Sequence, residues 1–232
     1  FESRGLGDVY KRQDIYGILM DAIHAEIKQF SIGFERLQEI WSIVKGIVWV
    51  VKNNWQNPDK GIWEFRSEDL HFTFSKVLCW VAIDRAIKIA ELLDKNEAAK
   101  KWEPLKKQIK DDIENKAWNE DIQAYTQSYG SKHLDASVLL IEQYGFISPN
   151  ESRFISTVKA IEKDLAHEGL LYRYKNHDDF GLPSSSFTVC TFWFINSLIK
   201  IGEVDKAKTY FDNLLSYGNH LQLFSEDIDF KS

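Results

Sequence analysis

The chain has no basic surplus: 29 Lys and Arg stand against 35 Asp and Glu, a formal charge of −6 over 232 residues. Neither a nucleic acid nor an acidic membrane surface is an expected partner, because no cationic excess exists to neutralise phosphates. Cysteine is scarce. Cys79 and Cys190 both fall inside apolar, helix-like runs, so they read as small buried hydrophobes and not as a disulfide framework. The six histidines are scattered without the paired spacing of metal ligands, and no zinc or other cofactor is expected. Long apolar runs are missing too. None approaches the roughly 20 residues of a membrane span, and no signal-peptide pattern opens the chain, so the expected location is cytoplasmic. What is abundant is aromatic: eight Trp, nine Tyr and fifteen Phe. That surplus is compatible with carbohydrate binding and equally with a well-filled core.

Residues 1–12 carry no amphipathic period and read as a non-native or disordered leader. From Asp14 the pattern is helical almost throughout. Ile15, Ile18, Leu19, Ala22, Ile23 and Ile27 form one stripe, and Leu37, Ile40, Trp41, Val44, Ile47, Val48 and Val51 form a second. A third helix, from His71 or Thr73 to about Leu93, is apolar over a wide arc and is expected to be buried on more than one side. The fourth spans about Asn96 to Ala117, with Pro104 predicting a kink or a later start. Asp135 opens a fifth, to Tyr144. The sixth covers about Glu151 to Leu165, the seventh about Ser186 to Ile201, and the eighth ends near Tyr217. No strand is predicted. Tight turns alternate with long loops rich in Trp, Tyr, Arg and Glu, as stacked helix hairpins require, and no fixed-period repeat supports a solenoid.

One loop stands out. Asn57-Pro58-Asp59-Lys60-Gly61 is turn chemistry, and it presents Trp63, Glu64 and Arg66 just ahead of the third helix. An indole face beside a carboxyl group suits a sugar ring, whose C–H groups stack while the acid reaches the glycosidic oxygen. The competing reading is a Trp wedged under a helix start, with Glu64 and Arg66 paired in solvent.

The stretch from Pro58 to Arg85 resembles glycoside hydrolase family 15, the glucoamylase type. There a P-D-x-G-I-W-E-x-R loop precedes H-F-x-x-S-K-V-M-x-W-V-A-L-D-R. A second motif of that family, N-x-x-G-L-L/F-S-E-E/D-I-D, is matched by Asn219 and by the run Leu223 to Asp229, with Gln222 replacing the usual Gly. The family's D-x-Y-G is at Asp14 to Gly17, so the resemblance covers nearly everything from Gln13 onward. It implies an all-α fold, an incomplete (α/α)6 barrel holding about eight of twelve helices, with residues 13–232 a catalytic domain truncated at both ends.

The resemblance further implies inversion at the anomeric carbon, with Glu64 as general acid and Glu226 as general base. Inverting pairs leave roughly 6.5–9.5 Å between carboxyls for the attacking water. Glu64 then needs desolvation, which Trp63 and Phe65 are expected to supply. The implied substrate contacts are Trp63, Arg66, His71, Lys76, Arg173 and Phe187. Competing readings exist for several. Arg173 suits a surface ion pair with Asp178 or Asp179, Phe187 a core position, and His71 and Lys76 a helix cap and pairing with acids. Tyr125 and Tyr129 are candidate subsite residues, and Asp84-Arg85 reads as a structural pair.

The main functional expectation is a glucoamylase-like hydrolase releasing β-glucose from non-reducing ends of an oligo- or polysaccharide. The alternative is an α,α-trehalase of the same family, and, from another class, a non-catalytic helical scaffold. The motifs concern the ring being cleaved and leave linkage and oligomeric state open. Because the family's N-terminal substrate groups are not in this stretch, the parent protein is expected to be active and this fragment nearly inactive.

Overall fold

The computed structural model describes residues 12–30, 33–66, 69–178 and 181–230. Nearly all of the expected leader lies outside them. The chain divides into two compact units, Phe1–Lys116 and Ala117–Ser232.

The described residues of the first unit form four α-helices: α1 (Asp14–Gln29), α2 (Phe34–Asn54), α3 (Thr73–Leu92) and α4 (Asn96–Lys116). Their bounds follow the apolar stripes closely. α3 is the hub, and seventeen of its 20 residues are buried, which explains why its sequence is apolar on every side. Each fully buried aliphatic side chain there contributes roughly 1.5–3 kcal/mol. α4 runs unbroken through Pro104. Only Ala99, Ile109 and Ile113 are buried on it, and Lys107–Asp111 (2.6 Å) and Lys116–Asp112 (2.5 Å) pair along its outer face.

α1 and α3 pack closely at Gly17. A methyl group there would lie 2.3 Å from the carbonyl oxygen of Leu78, so only glycine permits the approach. Gly17→Ala is expected to destabilise the protein by about 3 kcal/mol, the upper end of overpacking costs. A thermal melt unchanged to within about 2 °C would disprove it. Asp84 and Arg85 form the structural cluster expected of them. Arg85 bonds Asp84 and Asp21, both at 2.6 Å, and Asp84 also receives Lys88 at 2.7 Å and Lys106 at 3.8 Å. Arg85 thus ties α3 to α1 through Asp21, and Asp84, 8% exposed, ties α3 to α4 through Lys106.

In the second unit the sequence expectations need correcting in three places. The fifth helix is a 3-10 segment, Ala136–Ile141, although Asp135 does cap it by accepting from the amide of Ser137 at 2.8 Å. Strands are present. β1 (Trp118–Asn119) pairs with β2 (Ala124–Tyr125), β3 (Ala166–His167) with β4 (Leu170–Leu171), and β5 (Ser185–Phe187) with β6 (Asp227–Asp229), all antiparallel. Two or three residues are too few to show alternation, which is why they escape a sequence reading. The seventh helix begins later than expected, as α6 (Thr188–Lys200), because its first residues are spent in β5. α5 (Ser152–Leu165) and α7 (Val204–Leu215) lie close to their expected places.

Cys79 and Cys190 are fully buried and unlinked. Burial pushes the Cys79 thiol up to about 12 and raises that of Cys190 as well. Among the described residues no helix is long and apolar enough to cross a membrane.

Candidate active site

The Trp63–Glu64 loop is closed at its neck by a two-bond bridge. Asp59 and Leu70 exchange both backbone hydrogen bonds at 2.9 Å. Beneath the neck, the Asp59 carboxylate is fully buried and accepts from the Gln13 amide at 3.0 Å, and burial pushes its carboxyl up to about 6. Above it, Lys60 ties the loop across itself, reaching Asp69 at 2.6 Å and the carbonyl of Arg66 at 3.1 Å. Gly61 takes φ 66 and lies so close to Phe72 that a methyl group would be 2.8 Å from its ring.

Glu64 itself is left-handed, at φ 57, a conformation that costs a non-glycine residue on the order of 1–3 kcal/mol. The turn sends Phe65 inward, where it stacks on Phe72 with ring centroids 5.2 Å apart, and sends the carboxylate outward. The Glu64 side chain is 67% exposed and pairs with Arg12. This overturns the expected shielding by Phe65, whose ring is committed to the core; Trp63 is half-buried. Arg12 falls within the stretch expected to be a leader, yet it pairs with Asp14 as well as Glu64.

Of the other candidates in this unit, Arg66 is exposed and His71 half-buried. Burial lowers the His71 pKa, with Lys76 and Lys116 pushing the same way. The N-cap position of α3 is Phe72, whose side chain makes no cap bond, and His71 stands immediately before it. Lys76 must be corrected. It is 1% exposed. Its ammonium donates to Gln13 Oε1 at 3.0 Å, to the Trp55 carbonyl at 2.6 Å and to the Asn57 carbonyl. All three of its donors are spent on protein oxygens, so its work is to pin the loop's entry and not to hold a sugar.

The second unit carries Arg173, Phe187 and Glu226. Arg173 bonds Asp178 at 3.2 Å, and its guanidinium lies 5.0 Å over the Tyr174 ring; Tyr174 donates to the same carboxylate at 2.6 Å. The ion pair expected in competition with sugar binding thus exists. It is not a surface pair, since Asp178 is only 7% exposed. Asp179, its other expected partner, lies outside the described residues. Phe187 is half-buried and precedes α6. Tyr129 is half-buried, whereas Tyr125 is core, edge-on to Trp118, and is set aside as a subsite residue.

Glu226 is exposed and immediately precedes β6. The loop before it is knotted by Asn219, whose side-chain oxygen accepts from the amides of Leu221 at 2.9 Å and Leu223 at 3.1 Å. Gln222 adopts φ 61. The backbone therefore keeps the conformation that a glycine would hold at no steric cost, and the replacement does not straighten the loop. Gln222→Gly is expected to stabilise the protein by about 1 kcal/mol, the left-handed penalty relieved. An unchanged or lower melting temperature would refute that account.

Comparison with known proteins places these features in context. The family described as glycosyl hydrolases family 15 matches residues 11–230. A trehalase from Mycobacterium tuberculosis is 39% identical over 98% of this chain and 34% of its own length. A trehalase from Thermoplasma volcanium is 36% identical over 94% of this chain and 35% of its own length. The chain thus spans about a third of these curated relatives. Among solved structures, a wild-type glycosidase superposes with a TM-score of 0.79 at 14% identity, covering 94% of this chain and 56% of that one. A bacterial glucoamylase complexed with acarbose does so with a TM-score of 0.71 at 15% identity, covering 92% and 36%. The expected fold class, all-α of the (α/α)6 type, is the one these neighbours share.

Proposed function

The chain belongs to glycosyl hydrolases family 15, and from that membership we propose that the protein carrying it hydrolyses α,α-trehalose with inversion at one anomeric carbon. The observation that carries the substrate is the identity of 39% and 36% to proteins named trehalase, over nearly the whole chain. The glucoamylase-named structures are only 13–15% identical and speak for the fold alone. The order of the two readings drawn from the sequence is therefore reversed: trehalose comes first and an α-glucan second.

In this reading Glu64 is the general acid. As the glycosidic C–O bond breaks, its electron pair goes to the leaving oxygen, which takes the Glu64 proton. Water adds to the opposite face of the ring and gives its proton to Glu226. Trp63 supplies an apolar face, and Arg66, His71, Arg173 and Phe187 are the remaining sugar contacts. Since the Glu64 carboxyl is exposed, the bound disaccharide itself must exclude water from it. No metal enters these steps.

The test is proton NMR of the sugars released by the full-length protein from trehalose, maltose and isomaltose. Trehalose should be fastest, giving equal α- and β-glucose at early times, because one ring is inverted and the other leaves unchanged. Faster release from maltose, with the non-reducing ring appearing first as β-glucose, would establish the glucan reading instead. No release from any of the three would favour the scaffold.

A further inference from the structure

Resting on the assignment of Glu226 as base, we infer that Thr188 is the residue that positions it. The β5–β6 ladder pairs Ser185 with Asp229, Ser186 with Ile228 and Phe187 with Asp227, so Glu226 is the first residue beyond its end. Thr188 extends the pairing by one step. Its amide donates to the carbonyl of Glu226 at 2.8 Å, and its hydroxyl donates to the carbonyl of Ser225 at 2.7 Å. One residue thereby holds both peptide units flanking the α-carbon of Glu226, and fixes the direction in which an exposed carboxylate leaves the backbone.

The anchor is itself rigid. Thr188 is 5% exposed and is the first residue of α6, so the amide it spends on Glu226 is one that no helical carbonyl can satisfy. One turn on, Thr191 accepts from the amide of Leu171 in β4 at 3.0 Å, and Ser186 donates to the Leu171 carbonyl, also at 3.0 Å. Phe192 of α6 meets Phe224 edge-on at 5.6 Å, two residues before Glu226. Ser185 and Ser225 bond the side chain and carbonyl of Asp227 at 2.9 and 2.7 Å. A run of contacts thus leads from buried β4 through the start of α6 to the base. The Thr188 hydroxyl is committed to a backbone carbonyl, so its effect on the reaction passes through geometry. Misplacing a reacting group by about 1 Å is enough to cost roughly 10²-fold in rate.

The experiment compares Thr188→Val, which removes the hydroxyl at constant shape, with Thr188→Ser, which keeps it, in the full-length protein. Glu226→Gln is run alongside on trehalose. Thr188→Val should lower kcat by roughly 10- to 100-fold with KM changed less than about twofold, and Thr188→Ser should stay within about threefold of the native kcat. The inference is overturned if Thr188→Val keeps native kcat, if Thr188→Ser is as impaired as Thr188→Val, or if the loss falls on KM. Should Thr188→Val fail to fold by circular dichroism, Thr188→Ser against Thr188→Ala decides by the same criteria. Glu226→Gln with native kcat would instead refute the base assignment, and this inference with it. A native-like Thr188→Val beside a dead Glu226→Gln refutes the positioning role alone.

Discussion

Glu64→Gln is expected to lower kcat on trehalose by roughly 10³-fold, within the 10²–10⁴ that general acid catalysis supplies, while KM moves by less than about threefold. The amide keeps the shape of the side chain but has no proton to give the leaving oxygen. Because Glu64 is 67% exposed and its ion pair is with Arg12 at the surface, the substitution should change the melting temperature little, which separates lost chemistry from lost structure. A sugar with an activated leaving group, such as an aryl α-glucoside, needs less proton assistance and should lose much less. A variant with native kcat on trehalose would remove Glu64 from the mechanism. A variant equally slow on both substrates would assign it a binding role.

Lys76→Met is expected to cost about 3 kcal/mol of stability, in the range for breaking a buried charge-assisted cluster. Methionine fills the same volume but takes the ammonium from the Trp55 carbonyl and leaves the Asn57 carbonyl only its bond from the Gln13 side chain at 2.7 Å, and an orphaned buried carbonyl costs roughly 1–3 kcal/mol. Part of that is returned, because burial already disfavours the Lys76 ammonium and lowers its pKa. It also removes the opposite charge facing buried Asp59. Arginine should not rescue the site, since its planar fork does not fit a compact three-oxygen cage. The measurement is a denaturant melt of native, Met and Arg forms. A midpoint shift near zero for Met would mean the three bonds are not worth their desolvation. Because residues 55–59 enter the Glu64 loop, kcat should fall together with stability.

The two loops to which we assign the chemistry are legible in the sequence, but for different reasons than the helices. Helices α1 to α4 follow from apolar spacing, which records the face each residue must bury. The Glu64 and Glu226 loops were found by their resemblance to a family, because loop residues carry no period. That route has a characteristic weakness. It lists Lys76 with the sugar contacts because it sits in the motif, and it cannot separate a residue that touches substrate from one that supports the loop. Its burial, and its bonds to residues 19 to 63 positions away, make that separation. Thr188 escaped altogether. It carries no signal in a sequence beyond being polar at a helix start, and its partners lie 37 and 38 residues further along.

What the sequence determined by itself was the all-α class, most helix bounds and the buried state of both cysteines, and it is the source of the proposal for the two carboxylate loops. Each is a local pattern, or a motif whose residues are near neighbours. Only the tertiary structure decided that Glu64 points outward while Phe65 turns in, that Gln222 keeps a glycine's backbone, and that Gly17 exists to admit Leu78. The reason is physical. The sign of φ at a loop residue, and the space beside a helix, are set by what packs against them from distant parts of the chain.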